Sequence, residues 1–236
     1  MLEFKGVSKS YPGKPFAVRD LNLKVNAGDV YGFIGHNGAG KTTAIRCAVG
    51  VLGFEQGDIF VDGVSVRENP VACKRMLAYI PDNPDIYDHL TGMQYIRFVA
   101  DIFGVSEEAR KGRIDRYAKA FEMERELNGL ISEYSHGMKQ KTSLIAALVH
   151  APKLLVLDEP FVGLDPVAAH TLKTIMGEIT ASGGAIFFST HVLDVAEKLC
   201  NRIAIIKNGS LVADGETATV KGNASLEDVF LELIEK

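Results

Sequence analysis

Gly35-His36-Asn37-Gly38-Ala39-Gly40-Lys41-Thr42 is the stretch of this 236-residue chain whose residue types and spacing most directly imply chemistry. It fits G-x-x-x-x-G-K-[ST], a pattern that grips phosphate. Glycines let backbone N–H groups converge on an anion with no Cβ in the way. A helix start just beyond adds orphan donors and the positive end of a dipole. Lys41 would set a point charge on the outer phosphates of a nucleoside triphosphate, and the Thr42 hydroxyl would ligate Mg²⁺. The plainer reading is a Gly-rich turn before a helix. Chance matches to four fixed positions are rare at ordinary glycine usage, and a strand and a helix are predicted on either side.

Asp158 and Glu159 form a second candidate pair, ending the apolar run Leu154-Leu155-Val156-Leu157 and preceding Pro160. Such a run reads as a central parallel strand. The carboxyl ends of these strands face the crevice where ligands bind in open α/β sheets. One acid there can hold Mg²⁺ through water while its neighbour addresses a water molecule. Standing alone, the pair is as readily a polar strand terminator; beside a phosphate loop that reading weakens.

The elements that must position these groups show as periodicities. Residues 29–34 read as a buried strand feeding the loop, and 43–49 as the helix leaving it. Residues 2–7 and 18–25 alternate with period two around a turn-rich stretch at 11–15. Residues 57–63 add a strand ending in an Asp-Gly turn, so an antiparallel layer is expected beside the nucleotide core. A helix over 70–76 and a strand over 77–80 stop at Pro81-Asp82-Asn83-Pro84. Residues 91–150 read as helical and strand-poor, with helices over 92–103, 107–121 and 137–150 and Thr91 as a cap. Strand and helix then alternate over 154–157, 167–182, 185–190 and 192–199. Residues 202–207 and 210–214 flank Asn208-Gly209, a hairpin signal, and 226–233 is amphipathic.

The expected class is therefore α/β, with a phosphate-loop core, a mixed and mainly parallel sheet and an antiparallel β layer. One domain is expected over 1–236, with a helical subdomain near 91–150 and a C-terminal amphipathic helix near 224–235. Hydrophobic content of 47% and charged content of 24% are those of a folded chain. A net charge of -4 argues against a nucleic-acid binder, which usually carries a basic face. Cys47, Cys73 and Cys200 show no metal spacing, and no signal peptide is evident, so reduced cytosolic thiols are expected. No stretch approaches the roughly 18 apolar residues of a membrane span.

With these motifs in order, the chain resembles the ATP-binding-cassette (ABC) ATPases over nearly its whole length. Gly35 to Thr42 resembles the Walker A loop, and Leu154 to Asp158 with Glu159 resembles Walker B. Ser135-His136-Gly137-Met138-Lys139-Gln140 stands at the signature, usually Leu-Ser-Gly-Gly-Gln. Gly163-Leu164-Asp165-Pro166 looks like the D-loop, and His191 like the switch histidine. The resemblance implies ATP and Mg²⁺ as ligands. Tyr11 would stack on adenine, while Gly35, His36, Asn37, Gly38, Ala39, Gly40, Lys41, Thr42 and Thr43 would hold the phosphates. Thr42, Asp158 and Asp82 would attend the metal, Glu159 would be general base, and His191 would contact the γ-phosphate. Two chains would close head to tail, with Ser135 and Gly137 of one meeting the nucleotide of the other. The chain departs from the pattern twice. His136 replaces a glycine, making φ > 0 harder there, and Asp82 stands where the family has glutamine.

The resemblance further implies the motor subunit of a transporter, peripheral on the inner face of the membrane and driving a separate permease, of the bacterial drug-exporter type. The Asp82 loop and residues 91–134 would receive that partner. A soluble cassette acting on nucleic acid or ribosomes is the alternative. A GTPase would need an Asn-Lys-x-Asp string, which the chain lacks, and a degenerate cassette would not keep Lys41, Asp158, Glu159 and His191 together.

Overall fold

The computed structural model describes residues 1–13 and 16–235. Lys14 and Pro15, the end of the expected turn-rich stretch, lie outside them. The N-terminal strands β1 (Leu2–Ser10), β2 (Phe16–Val25), β4 (Gln56–Val61) and β5 (Val64–Ser65) form an antiparallel sheet in the order β2-β1-β4-β5. A second sheet has the order β10-β9-β3-β8-β7-β6. Its members are β3 (Val30–Ile34), β6 (Leu77–Ile80), β7 (Leu154–Asp158), β8 (Ala185–Thr190), β9 (Arg202–Lys207) and β10 (Ser210–Glu216). All its pairings are parallel except β9 with β10, which turn at Asn208-Gly209.

The helices are α1 (Lys41–Ala48), α2 (Pro70–Met76), α3 (Gly92–Ile102), α4 (Glu107–Ala120) and α5 (His136–Leu148), then α6 (Pro166–Ala181), α7 (Leu193–Leu199), α8 (Thr217–Lys221) and α9 (Leu226–Glu235). Thr91 caps α3 with a full capping box to Gln94. Short 3-10 turns at Glu126–Asn128 and Ile131–Glu133 lead into α5.

The central strands are apolar throughout because both of their faces are covered. On β7, Leu154 and Val156 join one core with Phe187 of β8 and Phe33 of β3, beneath α1 and the antiparallel sheet. Leu155 and Leu157 point the other way, into a core with Phe188, Ile96, Leu144 and Leu172 beneath the helices. The two-residue period of a strand sorts its side chains between these layers. The carboxyl ends of β3, β6, β7 and β8 therefore open on one edge of the sheet, where the candidate residues fall.

Helix ends moved by one or two residues from expectation, most tellingly at α1. This helix begins at Lys41 rather than 43, because Gly40 caps it at φ 111. The expected strain at His136 does not arise. It opens α5 in helical geometry and is absent from the non-glycine residues with positive φ.

Candidate nucleotide site

The loop between β3 and α1 is shaped by what its glycines lack. Gly38 and Gly40 have φ 82 and 111. A Cβ at Gly40 would lie 2.2 Å from the Ala17 carbonyl oxygen of β2. The loop thus rests against the antiparallel sheet. Lys41 is 6% exposed, and its ammonium donates to Gly35 O at 2.6 Å and His36 O at 3.3 Å.

A cavity of about 310 Å³ opens over this loop, lined by Tyr11, Ala17, His36, Asn37, Gly38, Gly40, Lys41, Thr42, Thr43, Asp82 and Glu159. Gly35 and Ala39 lie behind the lining, and Ala39 is buried. Tyr11 stands at the rim, 38% exposed, with its hydroxyl 3.4 Å from Thr43 Oγ1 and the Lys9 ammonium 5.7 Å from its ring centre. Glu159 points inward from the end of β7. Its Oε1 is 3.4 Å from Lys41 Nζ, and its Oε2 is 3.0 Å from His191 Nδ1. Its backbone takes φ 48 and is tied to Ser189, whose carbonyl and hydroxyl oxygens both accept from the Glu159 N–H.

Asp158, 1% exposed, sits beneath these groups. The Ser189 hydroxyl donates to its Oδ1, while Oδ2 has no hydrogen-bond partner among the described residues. Burial pushes the Asp158 carboxyl above the usual carboxylate range, against the opposite pull of the Ser189 and Thr42 hydroxyls. An unpaired buried carboxylate oxygen is costly. A divalent cation shared with Thr42 would satisfy it, so the residues fit Mg²⁺. Among the described residues no group of three or more His, Cys, Asp or Glu is placed to hold a metal ion by itself. This suits a metal held by one or two carboxylates plus phosphate and water oxygens.

The structure therefore brings together Tyr11, the 36–43 loop, Asp82, Asp158, Glu159 and His191. Ser135 and Gly137 are not in this cavity. They open α5, where the Ser135 hydroxyl accepts from the Met138 N–H. Ser189 is the residue that sequence reasoning missed. It holds both acids, and its register opposite Asp158 was its only signal. A larger hollow of about 620 Å³ lies at the amino ends of the strands, among Asp29, Asn201, Arg202 and Glu216, away from these groups. The three cysteines are free and buried. Burial raises the Cys47 thiol to about 12 and pushes the Cys200 thiol up as well, which suits packing rather than reactivity.

A phosphate cradle at a helix start after β3, with two acids at the end of β7 one strand beyond its neighbour β8, defines a P-loop nucleoside triphosphatase. The chain belongs to the ABC transporter family, whose model matches residues 18–162. It is 33% identical to the "ABC-type transporter ATP-binding protein EcsA" of Bacillus subtilis, over 100% of this chain and 97% of that protein. It is 36% identical to the "Probable multidrug ABC transporter ATP-binding protein YbhF" of Escherichia coli, over 96% of this chain and 40% of that protein. A solved "ATP binding subunit of ABC transporter" superposes with TM-score 0.95 at 35% identity, covering 99% of both chains. The fold also matches a dimeric cassette, MJ0796, "bound to ADP and Pi", at TM-score 0.84 and 21% identity, over 92% of this chain and 99% of that one. The chain is an ATP-binding ABC ATPase.

Proposed function

We propose that this ATPase drives a separate membrane-spanning permease in the direction of export, and that the cavity over residues 36–43 is its ATP site. The convergence of Lys41, Asp158, Glu159 and His191 at the carboxyl ends of three neighbouring strands carries this reading. Backbone N–H groups of the loop bind the β- and γ-phosphates, Lys41 neutralises the outer charge, and Tyr11 supports the base. Thr42 and Asp158, with Asp82 lining the same cavity, would hold Mg²⁺, which would supply charge neutralisation at the phosphates. Glu159 aligns the attacking water and accepts its proton. His191 fixes the Glu159 carboxylate and reaches toward the γ-phosphate. Positioning and neutralisation of this kind are what phosphoryl transfer requires.

Two chains closing head to tail complete each site, with Ser135 and Gly137 of one chain at the nucleotide of the other. The α5 start supports this, because its N–H groups form a second anion-seeking helix end. Residues near 91–150 form a helical subdomain, of which 91–134, with the Asp82 loop, docks the permease, and α9 closes the domain. An apolar hollow of about 340 Å³ between β6 and the helices, lined by Val49, Tyr79, Tyr95, Phe103 and His150 among others, suits a partner's helix. Exposed Tyr87, Phe98 and Ile102 on the helical region also suit such a partner. No helix among the described residues is long and apolar enough to cross a membrane. The chain is thus expected to sit peripherally on the inner face, and nucleic acid has no place in this scheme.

The test is a pull-down from detergent-solubilised membranes with Mg-ATPase measured on the eluate. One integral protein should accompany the chain and change its turnover, and the chain should leave membranes without detergent when that protein is missing. Co-purification with ribosomes or nucleic acid alone would overturn the transport reading.

A further inference from the structure

The strand that carries Tyr11 to the rim of the cavity is steadied by a side chain from elsewhere in the chain. Toward its end β1 loses regular register, with β4 between Lys5 and Ser8 and with β2 between Lys9 and Ser10. Glu55, on the segment between α1 and β4, supplies the bonds that the ladder lacks. Its backbone N–H donates to Ser8 O at 3.0 Å, and its Oε2 accepts from the Ser10 N–H at 2.9 Å. Its Oε1 is 2.7 Å from the Lys9 ammonium. The residues just ahead of Tyr11 are thus all held by one acid. The Lys9 side chain is only 14% exposed, and its ammonium lies over the Tyr11 ring, 5.7 Å from the centre, within the reach of a cation–π contact. The hydroxyl contact with Thr43 Oγ1, at 3.4 Å, is the ring's other polar hold among the described residues.

We infer that Lys9, held by Glu55, is a positioning residue that pins the Tyr11 ring for the adenine base, and so tunes ATP affinity through the base rather than through the phosphates. This rests on the ATP site proposed above, with Tyr11 as the support of the base. A tyrosine 38% exposed at a rim gives up rotational freedom when a base stacks on it, and a ring already pinned gives up less. The ammonium takes one face of the ring and leaves the other for the base. An ion pair open to solvent contributes little stability by itself, so what this one does is felt through the ring it steadies. Glu55 also follows α1, whose other end forms the phosphate loop, so the supports for base and phosphates are fixed to one helix. Lys9 and Glu55 stand 46 residues apart in sequence, and neither belongs to a motif.

The experiment titrates Mg-ATPase with ATP, with inorganic tripolyphosphate as a competitor that has phosphates and no base. It compares the intact chain with Lys9→Met, Lys9→Arg, Glu55→Gln, Tyr11→Ala and the Lys9→Met, Tyr11→Ala double variant. Lys9→Met should raise the KM for ATP about 3–10-fold, with kcat and the inhibition constant of tripolyphosphate unchanged. Lys9→Arg should keep the KM of the intact chain, because a guanidinium also sits well over a ring. Glu55→Gln should raise the KM in the same direction, and it reads the link should Lys9→Met fail to fold. In the Tyr11→Ala background Lys9→Met should add nothing, as an effect passed through that ring requires. If Tyr11→Ala leaves the KM for ATP unchanged, the base reading of Tyr11 falls and this inference falls with it. If Tyr11→Ala raises the KM but Lys9→Met does not, or does so equally in both backgrounds, or shifts the tripolyphosphate constant by the same factor, the Lys9 link alone is overturned.

Discussion

The Lys41 ammonium lies 3.4 Å from Glu159 Oε1, with the two side chains only 6% and 14% exposed. The cation of the phosphate loop and the acid just beyond β7 thus share one sheltered space. In the proposed mechanism a γ-phosphate arriving there would compete with Glu159 for Lys41, and the carboxylate would then be freed to meet water.

Lys41→Ala should remove the charge that the outer phosphates need. Turnover should fall on the order of 10²-fold or more, read by phosphate release, and calorimetry should show little heat of association with Mg-ATP. Unchanged activity would contradict the assigned loop.

Glu159→Gln should keep the shape of the site but lose the proton acceptor. Hydrolysis should slow by about 10²–10⁴-fold while ATP affinity holds, and gel filtration with Mg-ATP should show a dimer. A monomer at all protein concentrations would count against the sandwich.

The fold was largely legible because its signals are local. The apolar runs of β7 and β8, the Asn208-Gly209 turn and the strand–loop–helix around Gly40 each announce themselves within a few residues. What escaped was set by distant contacts. The two-residue β5 exists by pairing with β4, and α8, of five residues, has no room for a helical period. The α1 boundary was misplaced because it depends on φ at Gly40, which in turn answers to Ala17. His136 looked strained when judged against a family pattern, yet as the first residue of a helix it needs no positive φ. At the candidate site, the loop and both acids could be named from sequence, whereas Ser189 is visible only through its register opposite Asp158.

Ser189→Ala should leave Asp158 Oδ1 unpaired alongside the already unpartnered Oδ2 and remove one acceptor from the Glu159 N–H. Loss of a buried hydrogen-bond partner costs about 1–3 kcal/mol, which denaturant unfolding should register. With the Ser189 contribution gone, the Asp158 carboxyl should titrate still higher. If Mg²⁺ fills this position, added Mg-ATP should recover part of the lost stability.

Asp82→Ala tests the acid that stands in place of the expected glutamine. The Mg²⁺ concentration giving half-maximal ATP binding should rise, measured with metal varied at fixed nucleotide. Equal ATP affinity and turnover across the Mg²⁺ range would remove Asp82 from the metal's surroundings.

His150 supplies a pH prediction. Its ring stacks on Phe103 at 3.7 Å, and burial, aided by the Arg113 cation, lowers its pKa from 6.5 to about 4. The folded state therefore binds fewer protons here than the unfolded chain between pH 6.5 and about 4. The contribution is intact above 6.5 and should be lost as pH falls through that window, by about 1–2 kcal/mol after allowance for solvent screening. Melting temperatures across that range should fall less steeply in His150→Gln than in the parent.

Ala17 shapes the phosphate loop through its backbone. Its carbonyl oxygen occupies the place where a Cβ on Gly40 would go, so the curvature of the phosphate cradle is borrowed from a strand in another sheet. Genetic screens should therefore recover nucleotide-blind variants in β2, at positions no sequence motif marks. A transplanted loop without that strand behind it would keep the motif and lose its grip.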